Sequence, residues 1–365
     1  DTGLIIRGNP LLDIIDLLPE QALFLLLTDE IPDEDALSDL RLQLSKHAIV
    51  PEYIWTILKS MPEDSHPMAM FNTGILAMEK ESAFRKNYDK GISKEDFWKP
   101  MLEDGIKLIA KLPTLAAGVY RIRFQKGGLI EPDDSLDWGA NYAHMLGIDD
   151  PDGNVKKLMR LYLMLHCDHE GGNASAFTSL TIGSTLSDLY YAVSGGLNAL
   201  AGPLHGLANQ ECLKFVLEIR DTFSGTPSRD ELEQFCWDRL KRGRVIPGYG
   251  HAVLRCPDPR FIAFVNFGKK HIENDDVFNI VETLFDVVPD VLKKHGKAKN
   301  PWPNVDAASG ALLYHYGIKE FSYYTVLFSI SRSMGIVSQI VINRALRIPI
   351  MRPKSVTTKW LKDNC

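Results

Sequence analysis

Cysteine is scarce in this chain: Cys167, Cys212, Cys236, Cys256 and Cys365 are all there is, and no CxxC pair occurs. An odd number at such spacings argues against a disulfide framework or a cysteine-rich zinc site, and fits a reducing compartment. Long apolar runs are also missing. The longest, ALFLLL (22–27), is far short of the roughly 20 residues a membrane span needs. No signal or transit peptide is legible. The opening DTGLIIRG (1–8) has the look of an interior stretch, so a leader could lie outside it. Basic charge is in the minority, 41 Lys+Arg against 47 Asp+Glu for a net of -6. That leaves no footprint for nucleic acid as the main partner. Strand-like alternation is rare, and no NG or DG hairpin turn separates alternating runs.

What remains is helical. At 365 residues the chain can bury a large core, as two domains or as one large and one small. Val155, Leu158, Met159, Tyr162 and Leu165 fall on one face of a 3.6-residue repeat, as do Leu232, Phe235, Cys236 and Leu240. Met101, Leu102, Gly105, Ile106 and Ile109 form another, and Leu112-Pro113 is expected to stop it. A long helix is predicted over 321–346, ending before Pro349. DGN (152–154) precedes a helix, and loops are expected at 62–67, 128–135, 221–230 and 297–304. The fold class is all-α.

Four segments depart from ordinary helix composition. HCDHEGGNAS (166–175) sets His166 and His169 beside Asp168 and Glu170. The spacing suggests a metal site or, more simply, a helix end broken by Gly171-Gly172. Asn173-Ala174-Ser175 also matches a glycosylation sequon, which carries little weight without a secretory signal. GGLNALAGPLHGLANQE (195–211) places His205 just ahead of a predicted helix. A helix N-terminus favours a neutral imidazole, which can donate to a developing oxyanion. PGYGHAVLRCPDPRF (247–261) sets His251 behind Gly248 and Gly250, with Arg255 and Arg260 following. Such arginines suit bidentate carboxylate binding. No strand precedes GYG and no GK[ST] follows, so a dinucleotide or P-loop reading fails. KNPWPNVDAASG (299–310) holds Asp306 among apolar neighbours, a candidate base. Each feature alone has a bland explanation. Together, two histidines, an Asp and several arginines in glycine-rich loops suggest an anionic-substrate site with acid–base chemistry.

LHCDHEGGNAS, GLAGPLHGLANQE, PGYGHAVLR, DPRF, KNPWPNVD, YYTVLFSISR and RPKS occur in this order. They closely resemble the citrate synthase family in its eukaryotic mitochondrial type, over nearly the whole chain. The resemblance implies a large helical domain (1–206 and 322–365) and a smaller one (207–321) that closes over the substrates. It implies an intertwined homodimer in the mitochondrial matrix. It further implies condensation of acetyl-CoA with oxaloacetate, hydrolysis to citrate, and no metal or cofactor. Asp306 resembles the base, His205 the donor at the enol oxygen, and His251 the donor at the oxaloacetate carbonyl. His169, Arg260 and Arg332 resemble oxaloacetate ligands. Arg352 resembles an arginine that reaches the partner's site. Val245, Ile246, Pro247, Gly248, Tyr249 and Gly250 resemble the adenine loop of the CoA site. Lys297 and Lys299 resemble phosphate contacts, and Lys86 stands near a family arginine that binds CoA phosphate. Phe177 and Ala308 stand where the family usually has histidines. Ala308 lies two residues from Asp306, and the related 2-methylcitrate synthases, which use propionyl-CoA, also lack that second histidine and often carry a run like CPDPRF (256–261); they are the alternative. A third reading is a citrate-synthase-like filament protein with weak activity.

Overall fold

A computed structural model describes residues 3–251 and 254–364. Among them, seventeen α-helices account for nearly all regular structure. The one sheet is a two-residue hairpin, Ile5–Ile6 against Asn9–Pro10. Arg7 and Gly8 make its turn, both with positive φ (48° and 77°). That is the pairing a tight two-residue hairpin needs, in a sequence without NG or DG.

The core is built on two long helices that pack on each other, Trp98–Arg123 and Tyr324–Ala345. The first runs straight through Pro113 instead of stopping there. Proline removes one helical donor and frees the carbonyl four residues back. That carbonyl belongs to Ile109, and the indole Nε1 of Trp138 donates to it at 3.1 Å. A tertiary hydrogen bond thus rescues a helix that local rules would end.

The second helix, with the short turn before it, spans Phe321–Ala345 and is long and apolar enough to cross a membrane, yet 83% of its apolar window is buried inside the fold. It is a core helix, and it carries Arg332 into the interior. Asn154–Leu165 follows Gly153 and presents Val155, Leu158, Met159 and Tyr162 to the core, as its periodicity predicts. The helices Ala208–Phe223, Arg229–Lys241, Pro259–His271, Asp276–His295 and Asp306–His315 pack mainly on one another. The turns that follow Asn154–Leu165 and Leu189–Leu200, and the loops that lead into Pro259–His271 and Asp306–His315, carry or adjoin most of the candidate site residues.

Candidate active site

Two turns are stitched together first. Gly250 N–H donates to the Trp302 carbonyl at 2.9 Å, and Asn304 N–H to the Gly248 carbonyl at 2.9 Å. The Asn304 amide adds a bond to the Gly250 carbonyl at 3.0 Å. Gly248 has φ 80°, and a Cβ there would lie 2.6 Å from Cys212 Sγ and 3.0 Å from Ala307. Only glycine lets the loop sit this close to the start of Asp306–His315. His251 and Asp306 are therefore fixed relative to each other by backbone bonds.

Asp306 is the first residue of its helix, not a loop residue. Burial pushes its carboxyl up to about 7, against the lowering effect of Arg260. A carboxylate with that affinity for protons is a much better base than a solvated one.

His205 lies in the turn that precedes Ala208–Phe223, three residues short of the helix. Its neutrality therefore does not come from the helix terminus. Burial and the nearby Arg332 charge lower its pKa to about 4. Ser175 N–H points at its Nε2 at 3.4 Å, and the Ser175 hydroxyl is 3.0 Å away. A backbone N–H can only donate, so Nε2 accepts and the ring proton sits on Nδ1. For His251 the same logic runs the other way. Leu254 N–H donates to its Nδ1 at 2.9 Å, so the neutral ring is protonated at Nε2. Burial, then Arg260, lower its pKa.

The remaining ligand candidates surround these groups. His169 stacks near His251, ring centroids 5.5 Å apart. Burial, Arg260 and Arg332 lower it to about 3. Both its ring nitrogens are buried without a hydrogen-bond partner among the described residues. Arg332 is 2% exposed. Its Nη1 donates to Asn173 Oδ1 at 2.9 Å, its guanidinium lies over the Phe328 ring, and its Nε has no partner among the described residues. Burial, then Arg260, lower it to about 10. Arg260 is held by Asp258, Nη2 to Oδ2 at 2.6 Å and Nε to Oδ1 at 3.0 Å. Asp258 also caps the helix Pro259–His271 through Arg260 N–H. Two buried arginines that repel each other, beside unpartnered imidazole nitrogens, form a site for a small polyanion.

Gly335 makes this crowding possible. Its N–H donates to the Cys167 carbonyl at 3.0 Å, and a Cβ would lie 2.4 Å from Asp168 Oδ1. The turn carrying His169 thus rests directly on the helix carrying Arg332. His166 points elsewhere. It is buried, stacked on Tyr162 at 4.2 Å and bonded to its carbonyl. Among the described residues no group of three or more His, Cys, Asp or Glu is placed to hold a metal ion.

A cleft of about 430 Å³ opens beside His251. Val245, Ile246, Tyr249, Gly250, Lys297 and Lys299 line it, together with Arg244 and His295, which the sequence reading passed over. Pro247 belongs to the same loop, its carbonyl 3.7 Å from Cys212 Sγ. Two candidates stay apart. Lys86 is exposed on Ala83–Asp89, its ammonium on the Glu81 carbonyl. Arg352 is exposed beyond the last core helix. Within one chain neither joins the site. Asn173 and Ser175 were also missed as functional residues, because Asn173-Ala174-Ser175 reads as a sequon. Asn173 in fact caps Ala174–Ser184 and accepts from Arg332.

Comparison with known proteins agrees with the fold. The family profile described as citrate synthase, C-terminal domain, matches residues 1–354. A mitochondrial citrate synthase of Daucus carota is 49% identical over 348 residues, covering 95% of this chain and 73% of its own. A mitochondrial 2-methylcitrate synthase of Yarrowia lipolytica is 46% identical over 343 residues, covering 94% and 74%. Among solved structures, the citrate synthase of Thermoplasma acidophilum, in a ternary complex with carboxymethyl coenzyme A and oxaloacetate, superposes with a TM-score of 0.80. It covers 96% of this chain and 88% of its own at 22% identity, a likeness of fold.

Proposed function

The chain belongs to the citrate synthase family, and from that premise we propose that it condenses acetyl-CoA with oxaloacetate and hydrolyses the product to citrate and CoA. The observation that carries this reading is the raised Asp306 carboxyl under the charge of buried Arg260, with buried Arg332 acting on His205 and two neutral histidines of opposite tautomer.

The carboxylates of oxaloacetate meet the partnerless groups of His169 and Arg332 and the guanidinium of Arg260, which Asp258 holds in place. Their charge offsets the repulsion between the arginines. The Asp306 carboxylate then removes a proton from the acetyl methyl group. Negative charge passes to the thioester oxygen, where His205 Nδ1–H donates to it. The enol carbon bonds to the oxaloacetate carbonyl carbon. His251 Nε2–H protonates the oxygen that becomes the citryl hydroxyl. Water then attacks the thioester carbonyl, and CoA leaves as its thiol. Neutral histidines are better suited here than cations, because each must donate as charge develops and then recover its proton.

CoA lies along 245–250, with its phosphates toward Lys297 and Lys299. Residues 207–321 act as a small domain that closes over 1–206 and 322–365 and excludes water during condensation. The chain works as a homodimer, in which Arg352, and Lys86 at the CoA phosphates, serve the partner's site. No metal or cofactor takes part, and the mitochondrial matrix is the working compartment, which organelle fractionation tests. A signal confined to another compartment would overturn that address.

One observation favours a second reading for the acyl group. Ala308 is fully buried in the helix of Asp306, where a family histidine would fill more space, and a 2-methylcitrate synthase stands among the relatives. One methylene is worth only about 1–3 kcal/mol in a pocket. The test is kcat/KM for CoA thiol release with acetyl-CoA and with propionyl-CoA. Acetyl preference is expected, and a clear propionyl preference assigns the chain to the second reading.

A further inference from the structure

The helix Tyr324–Ala345 carries a second buried arginine near its C-terminal end. Arg344 is 6% exposed, and its Nε is buried without a hydrogen-bond partner. Burial lowers its pKa, and no neighbouring acid opposes that effect. A guanidinium does not shed its charge at neutral pH, so an uncompensated one inside a protein is unfavourable unless something anionic meets it. Arg344 differs from Arg332 in having no protein acceptor at all among the described residues.

Arg344 opens onto a cleft of about 450 Å³. Lys94 and Arg347 share the lining, with Phe97, Leu186 and Ile350 as apolar wall, and no Asp or Glu among the described residues lines it. Arg347 is paired with Glu95 at 3.5 Å at the exposed rim. We propose that this cleft binds a small oxyanion, a phosphate or carboxylate group, held by Arg344 with Lys94 and Arg347 at the mouth. The guanidinium fork suits two oxygens of one group. The segment 348–350 forms one wall. It continues to Met351, whose N–H donates to Ser184 Oγ at 2.9 Å, and then to Arg352. A bound anion would fix the start of the segment that carries Arg352. That consequence for activity rests on the proposed role of Arg352 in the partner's site, whereas the binding itself does not.

Calorimetric unfolding of the whole chain tests the site without an activity readout. The probes are inorganic phosphate and, separately, butyrate, a monocarboxylate unlike the dianion of the substrate site. At about 100-fold the Kd, mass action over a chain of 365 residues raises Tm by about 3 °C. The rise is expected with at least one probe, and which one responds identifies the oxyanion. It should vanish in Arg344→Met and persist in Lys297→Met/Lys299→Met. Arg344→Lys, which keeps the charge and loses the fork, should weaken the Kd about tenfold and serves if the Met variant fails to fold. No shift with either probe, an equal shift in Arg344→Met, or loss of the shift in the Lys297/Lys299 variant overturns the proposal. So does a weakened dimer in Arg344→Met with no anion effect, which would make the occupant an acid of the second copy.

Discussion

Replacing Asp306 by Asn should stop the reaction and stabilise the protein at the same time. The Asp306 carboxyl rises from 3.8 to about 7 because burial disfavours its anion. The folded state therefore holds the proton more tightly than the unfolded chain does. Stability contributed by that proton is present below pH 4 and is lost as pH rises from about 4 to about 7. At about 1.36 kcal/mol per unit, the upper bound is about 4 kcal/mol. Residue 306 as a whole is only half-buried, so solvent screening reduces this to about 2 kcal/mol. Asn keeps the shape and never ionises. Over 365 residues, the unfolding entropy converts the gain to about 3 °C in Tm at pH 8. The same change removes the base, and condensation should fall by about 10²–10⁴-fold. The assays are calorimetric unfolding at pH 5, 6, 7 and 8, and CoA thiol release at pH 8. The Asn advantage should grow with pH and level off above 7. An advantage independent of pH, or a lower Tm at pH 8, would refute the reasoning even if activity were lost.

Other predictions rest on separate contacts. The kcat/KM for acetyl-CoA should fall about tenfold per pH unit below about 7, where Asp306 takes up its proton; a flat profile down to pH 5 contradicts this. Arg332→Met should raise the Tm of the free protein, since burial and Arg260 outweigh what Asp168 and Glu170 return to a guanidinium that forms no salt bridge among the described residues. It should also weaken oxaloacetate binding by about 10²-fold or more; an unfolding scan reads the first effect and a calorimetric titration the second, and a lower Tm with unchanged affinity contradicts both. Gly335→Ala should raise the oxaloacetate KM and cost about 1–3 kcal/mol, because its Cβ falls 2.4 Å from Asp168 Oδ1; unchanged kinetics would show the turn can give way. Dialysis against EDTA should leave turnover unchanged, and loss restored by a divalent ion would bring metal chemistry back.

The helical class and the candidate residues were legible because they depend on local pattern and on motifs. The Asn154–Leu165 face is a matter of periodicity, and His251 announces itself in a glycine-rich loop. What stayed hidden depends on partners distant in sequence. Pro113 reads as a stop until Trp138 arrives from another helix to take the Ile109 carbonyl. His205 was rightly expected to be neutral, but for the wrong reason. Burial and Arg332 lower it, and Arg332 lies 127 positions further along the chain. The roles of Asn173 and Ser175 could have been suspected from a polar cap preceding an apolar helix, though nothing local says that an arginine from 332 binds there. Asp258 was readable in principle, since an Asp two residues before an Arg at a helix start can cap and pair at once. Lys86 and Arg352 stand exposed and away from the site within one chain, and their proposed targets belong to the partner.

The most direct test is the stoichiometry of CoA thiol and citrate formed from acetyl-CoA by the purified chain, with and without oxaloacetate. The account predicts thiol release that requires oxaloacetate and yields one citrate per CoA. Thiol release without oxaloacetate, or none with both substrates present, would contradict it.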